Sequence, residues 1–392
     1  MPGALAGIRV VDCTAMISGP LATQLLADQG ADVVKVEPPG TGDLVRAMGG
    51  GDGLSPTFLV ANRNKRSLAL DLRAAGGAEV LRRLVAGADV FVQNFRPGTA
   101  ERLGLGEATL RERAPELVYV SISGFGETGP YAGKRVYDPV VQALSGLADI
   151  QADRETGRPR MVRLIVPDKV TALCAAQAIT AALLARERTG AGQHVRLSML
   201  DATVSFLWAE GMAAFTRADH EGRARPQLAQ DLVFRSADGW ITAGAVADAE
   251  WEGLAAAAEH PEWLEDARFR TPAGRVAHAD ARLALMAEAF RGRPTAEWLE
   301  RLDAAGVPCA PILRREEMLR HPQVVASGIV AETEHPVAGR LREPRPAARF
   351  DRTPAGLRRP APRLGEHTDE VLAEAGFAGP EIEALRRAGV VA

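Results

Sequence analysis

Cysteine is scarce in this chain of 392 residues. The 3 present, Cys13, Cys174 and Cys309, lie far apart and lack the paired spacing of a zinc site or a redox dithiol. They are expected to be small buried hydrophobes in a reducing compartment. The 7 histidines are scattered singly, so no metal site is expected. An excess of one charge is missing too. With 47 Lys and Arg against 50 Asp and Glu the net charge is -3, which supplies neither the basic footprint of a nucleic-acid binder nor an electrostatic membrane anchor.

Long hydrophobic runs are also lacking. No apolar stretch approaches the roughly 20 residues of a bilayer span, and the opening MPGALAGIRVVDC has no basic segment ahead of an apolar one, so no secretory leader is expected. These absences leave a cytoplasmic enzyme or binding protein as the expectation. The Gly-x-Gly-x-x-Gly fingerprint is absent after the first strand, which argues against nicotinamide or flavin even though Glu37 ends the second strand as an acidic ribose ligand would.

What is present is an α/β pattern. The run IRVVD reads as a buried strand. Ser18 then offers a cap and Pro20 a first helical turn for LATQLLADQG, and ADVVKVE reads as a second strand. Such a βαβ unit predicts a Rossmann-like large domain on a mainly parallel sheet. Further strands are expected at SLALDL, DVFVQNF, LVYVSIS and QHVRLSM, with helices between them. Residues 217–230 are polar and aperiodic, as in a linker. Beyond them an Asp-Gly hairpin and three helices predict a small α+β domain over 231–326. The large domain is thus expected over 1–216, with 327–392 returning to it.

The stretch 160–190, RMVRLIVPDKVTALCAAQAITAALLARERTG, carries the sharpest local signal. An extended apolar run stops at Pro167, Asp168 follows, and apolar residues then recur at helical spacing to Gly190. Asp168 is therefore expected at a strand-to-helix junction, where free N–H groups and the helix dipole favour its ionised form. Aspartate is also a favoured N-cap, so capping alone accounts for the local pattern. Arg46, Arg63, Lys65 and Arg66, in a Gly-rich loop, are candidates to collect an anionic ligand or simply to face solvent. Asn94 sits at a strand end where such sheets present ligand-binding groups.

Taken together, GPxxxQxLADxGADVVKVEPPGxGD, NRNKRSLALDL, DVFVQNFRPG, SxSGFGxTGPY, YDxVVQALSG, the PDxxTA turn, TGxGQHVRLSMLDA and RLGEHTDEVL resemble the family III CoA-transferases. That group includes formyl-CoA transferase, carnitine CoA-transferase and α-methylacyl-CoA racemase. The resemblance spans nearly the full length. It implies Asp168 as a nucleophile on acyl-CoA thioesters, and CoA contacts at Leu70, Asp71, Arg73, Asn94, Phe95, Arg96, Arg102, Arg135, Tyr137 and Asp138. It implies acyl-CoA and carboxylic-acid substrates, no permanently bound cofactor, and an interlocked homodimer. Ile17 stands where formyl-CoA transferase has a polar side chain and Pro38 where it has an arginine, so oxalate and formyl-CoA are not expected substrates.

Two other readings belong beside transfer. The racemase branch places a histidine where this chain has Tyr137 and a glutamate at the position of Ala247, so a two-base proton transfer lacks its groups here. A catalytically silent CoA-binding relative is the third. The linker and hairpin around 217–250 are expected to shape the acyl pocket, and dicarboxylic acids are expected donors by analogy with the family.

Overall fold

The structure is a computed structural model that describes residues 2–49, 53–153, 155–219, 231–245 and 247–392. Of the expected linker, 220–230 lies outside the described residues. The chain divides into two compact units, Met1–His220 with Ile329–Ala392, and Glu221–Gly328.

The larger unit is built on six parallel strands. These are β1 (Arg9–Cys13), β2 (Asp32–Glu37), β3 (Lys65–Ala69), β4 (Val90–Gln93), β5 (Val118–Ser123) and β6 (His194–Ser198), in the order β3-β2-β1-β4-β5-β6. The β-branched runs of β1, β4 and β5 are buried, as expected for strands covered on both faces. The order reverses between β1 and β4, so the turns leaving those two strands flank the crevice where open α/β sheets bind ligands. Helix α1 (Ser18–Asp28) and the long helix Val166–Thr189 cover one face, placing Leu26, Ala172, Ala175 and Ile179 against Val10, Val33, Val90 and Val120. The opposite face buries Val11, Val34, Phe91 and Tyr119 with Val371, Leu372, Val390 and Val391 from the C-terminal residues. Those residues are fixed to β3: His367 Nδ1 accepts the Ser67 N–H at 3.2 Å, and Leu70 bridges Val391.

The smaller unit has the antiparallel strands β7 (Phe234–Arg235), β8 (Trp240–Ala243) and β9 (Cys309–Pro311), the first two joined by the Asp-Gly turn. Its core gathers Trp251, Trp263, Phe269, Phe290 and Trp298. A hairpin of β10 (Val330–His335) and β11 (Gly339–Pro344) precedes the Pro-rich C-terminal coil.

Two expectations change. The apolar run before Pro167 is no strand: the main chain of Val162 and Leu164 bonds to the Gln142 side chain instead of to a sheet. The long helix, moreover, meets the length and hydropathy of a bilayer span, which the apolar runs alone did not suggest. It packs along α1 and the sheet, the position of a core helix.

Candidate active site

The turn between β1 and α1 is built on buried charge. Asp12 ends up with no exposure in β1, beside Lys35 of β2, its partner in register. Lys65 of β3 donates to Asp12 at 3.0 Å, to Asn62 Oδ1 at 2.8 Å and to the Pro20 carbonyl at 2.8 Å, so all three ammonium protons have acceptors. Lys35 donates to Asp43 at 3.0 Å and to the Thr14 carbonyl at 2.9 Å. Burial alone would raise the Asp12 carboxyl, but Lys65 and Lys35 outweigh it and hold the group well below the usual carboxylate range. Burial lowers Lys65 to about 8 despite Asp12, partly because Lys35 repels it.

These contacts fix the turn that starts α1. Asn94, just past β4, accepts the Ala15 N–H at 2.9 Å and donates to the Ala15 carbonyl at 2.8 Å. Met16, held at φ 70°, donates its N–H to Asp43 at 3.1 Å. Gly19 approaches so closely that a Cβ there would lie 2.3 Å from the Thr14 Cβ. The sequence placed Ser18 as a cap. In the structure Ile17 is the cap residue and Ser18 opens the helix, leaving its hydroxyl and N–H free to act on a neighbour.

That neighbour is Asp168. It lies in the first turn of the long helix, three residues past the cap residue Ile165, and no side chain caps this helix end. The capping account of Asp168 is therefore set aside. Its protonation also differs from expectation. Burial raises its carboxyl from 3.8 to about 6, the Asp138 carboxylate adds to the rise, and the Ser18 hydroxyl and N–H oppose it. The dipole of the helix is present, but desolvation and a like charge win.

The CoA-binding positions inferred from resemblance separate into groups. Arg73, Phe95, Arg96 and Arg102 line one cavity of about 590 Å³ with Thr99 and Leu103. Among the described residues none of these guanidinium groups has a carboxylate partner, and Arg102 donates to Thr99 Oγ1 at 2.7 Å. Phe95 and Arg96 also line an adjoining cavity of about 420 Å³ with Gln93, Ser121 and His194. Gln93 accepts the Phe95 N–H at 2.7 Å and so holds this loop. Arg135 and Tyr137 are exposed on the segment ahead of the Asp138–Leu144 helix, and Asp71 accepts the Arg73 N–H at 2.8 Å. Leu70, Asn94 and Asp138 differ: the Leu70 side chain is in the core, the Asn94 amide is used on Ala15, and Asp138 is 3% exposed and bonded within the protein.

The four basic residues expected in a Gly-rich loop are committed to carboxylates, with Arg46 in a short helical turn and Lys65 and Arg66 in β3. Arg46 forks onto Glu37 with both distances at 2.7 Å, Arg63 pairs with Asp28, Lys65 with Asp12, and Arg66 with Asp32, Glu370 and Glu374. Glu37 is consumed by Arg46, which removes the ribose-binding reading of that strand end. Two residues went unnoticed at the sequence level. Gln142 stands four positions from Asp138, a spacing at which Asp and Gln meet on a helix, and Gln93 gives no local signal because its partner Ser121 lies on another strand.

Residues 5–368 match the family model described as CoA-transferase family III. The human succinyl-CoA:glutarate CoA-transferase is 34% identical over 395 residues, covering 99% of this chain and 90% of the relative. The formyl-CoA:oxalate CoA-transferase of Rhodopseudomonas palustris is 33% identical over 425 residues, covering 100% of this chain and 98% of the relative. Among solved structures, a CAIB/BAIF family protein from Brucella suis superposes with a TM-score of 0.82 at 32% identity, covering 96% of this chain and all of that one.

Proposed function

This chain belongs to the family III CoA-transferases, and from that premise we propose that it moves CoA from an acyl-CoA thioester to a free carboxylic acid with Asp168 as the nucleophile. The observation that carries the reading is the setting of Asp168: a partly buried carboxylate at the start of one helix, faced by the hydroxyl and N–H of Ser18 at the start of another.

The steps follow from that setting. The Asp168 carboxylate attacks the thioester carbonyl and CoA thiolate leaves, forming a mixed anhydride. Thiolate then attacks the aspartyl carbonyl, which releases the donor acid and leaves an aspartyl-CoA thioester. The acceptor carboxylate attacks that thioester, thiolate departs, and its return to the acceptor's carbonyl gives the new acyl-CoA and restores Asp168. Each addition places negative charge on a carbonyl oxygen, and Ser18 supplies donors beside it. Partial burial keeps water from the anhydrides. Arg73, Arg96 and Arg102 offer the charge to hold the phosphates of CoA.

Dicarboxylic acids are the proposed substrate class, in keeping with relatives named for succinyl-CoA and glutarate. Racemisation lacks support, since Tyr137 is 64% exposed and Ala247 has no titratable group. A cytoplasmic homodimer without resident cofactor completes the reading. Support for self-association comes from Leu173 and Leu184 on the long helix and Phe206 and Trp208 on the next, all exposed apolar side chains. Intact-mass analysis of enzyme quenched during turnover tests the nucleophile: an acyl or CoA adduct on Asp168 is expected, and its absence, or transfer by Asp168→Ala, overturns the role.

A further inference from the structure

Two buried side chains of the Asp138–Leu144 helix are turned onto the segment that leads into Asp168. Asp138 is 3% exposed and Gln142 2%. Asp138 Oδ2 accepts the Asp168 N–H at 3.1 Å, and its Oδ1 accepts from Gln142 Nε2 at 2.7 Å. Gln142 in turn accepts the Val162 N–H at 2.9 Å and donates to the carbonyls of Leu164 at 3.1 Å and Val162 at 3.3 Å. Both oxygens of Asp138 and both polar atoms of Gln142 are thus engaged inside the protein.

The arrangement is a poor choice for stability alone. Burying a carboxylate is costly without a countercharge, and among the described residues no Lys, Arg or His forms an ion pair with Asp138. A second carboxylate, Asp168, lies close enough to feel its charge. Besides burial, the groups that shift the Asp168 carboxyl are Asp138 from its helix, which raises it, and uncharged Ser18 from α1, and among the described residues no cation forms an ion pair with either carboxylate.

We propose that Asp138 and Gln142 are the positioning pair of the nucleophile. Gln142 fixes the path of residues 162–164 into the long helix, while Asp138 anchors the Asp168 main chain and sets a buried negative charge beside its carboxyl. The inference rests on Asp168 being the nucleophile, and it moves Asp138 from CoA contact to support of that residue. A neighbouring like charge makes the attacking carboxylate more basic and hence more nucleophilic.

The test compares Asp138→Asn and Gln142→Ala with the unaltered enzyme, using succinyl-CoA and glutarate as the probe pair. In Asp138→Asn an amide hydrogen meets a donor whichever way the new side chain turns, because Gln142 cannot flip without abandoning Val162 and Leu164. The expected result is a kcat lower by about tenfold or more, a KM for the acyl-CoA within about threefold, and an acid limb of the kcat profile shifted down by about one pH unit. Gln142→Ala is expected to lower kcat, leave the limb in place, and speed amide hydrogen exchange across 162–168.

A raised KM with kcat and limb unchanged would return Asp138 to CoA binding. A lower melting temperature with an unmoved limb would make its role structural. If Asp138→Asn does not fold, unchanged exchange across 162–168 in Gln142→Ala overturns the proposal. An Asp168 adduct in the unaltered enzyme is the control: its absence sinks the nucleophile reading, whereas an adduct with an unmoved limb in Asp138→Asn sinks the positioning pair only.

Discussion

Asn94 grips Ala15 by both of its main-chain polar groups, accepting the N–H at 2.9 Å and donating to the carbonyl at 2.8 Å. This clamp joins the turns that leave β1 and β4, where the strand order reverses, and so sets where α1 begins and where Ser18 points. Asn94→Ala leaves two main-chain groups without their partner. It is expected to cost about 1–2 kcal/mol of stability and to lower kcat/KM by about tenfold, as read by denaturant melts and steady-state kinetics. Full activity in a normally folded variant would show that the turn holds its place without the clamp.

With Asp168 as the proposed nucleophile, its raised carboxyl sets the expected pH dependence of turnover. The nucleophile must be ionised, so the rate is expected to climb with pH through about 6 and to level above it. A profile of kcat against pH that is flat down to about 4.5 would contradict the burial and like-charge origin of the shift.

The same shift makes a stability prediction of opposite sense. A carboxyl whose folded value is raised to about 6 from 3.8 favours the folded state below about pH 4, and that contribution is lost as pH rises through 6. Asp168→Asn is therefore expected to raise stability at pH 7.5 by roughly 1–3 kcal/mol and to change little at pH 4. Thermal melts at the two pH values check it, and equal effects at both would deny the linkage.

Two classes of arginine should separate in kinetics. Arg73→Ala, Arg96→Ala and Arg102→Ala each remove from one cavity a guanidinium that has no carboxylate partner among the described residues. Each is expected to raise the KM for acyl-CoA by about tenfold while leaving the melting temperature nearly unchanged. Arg66→Ala breaks pairs with Asp32, Glu370 and Glu374 and is expected to lower the melting temperature with KM unchanged. Titration of each variant with CoA, beside a thermal melt, distinguishes the two.

Lys65→Met leaves Asp12 buried and short of a countercharge. Removing one partner of such a pair typically costs about 3–5 kcal/mol, so this variant is expected to melt far below the parent. Lys65→Arg is not expected to rescue it, because Asp12, Asn62 and Pro20 surround a compact ammonium with three acceptors. A calorimetric scan of both variants is the check.

Much of the sheet was legible because its signals are local. Buried strands such as β1, with Val10 and Val11, and β4, with VFV, carry continuous β-branched or aromatic runs, and the Asp-Gly turn favours the β7–β8 hairpin by backbone preference. The segment before Pro167 has the same apolar character, yet its main chain goes to Gln142, a partner twenty residues away that no window on the sequence includes.

The fate of each charge was settled by the tertiary structure. From composition, Arg46, Arg63, Lys65 and Arg66 were no different from Arg73, Arg96 and Arg102. Folding brought Glu37, Asp28, Asp12 and Asp32 to the first four, and no carboxylate among the described residues to the last three. The sequence by itself determined the order along the chain of the six sheet strands, most of the helices and the family, since periodicity and motif spacing are properties of neighbours along the chain. The protonation of Asp168 depended on burial and on Asp138, thirty residues away, because electrostatic energy follows distance in space and the polarity of the surroundings.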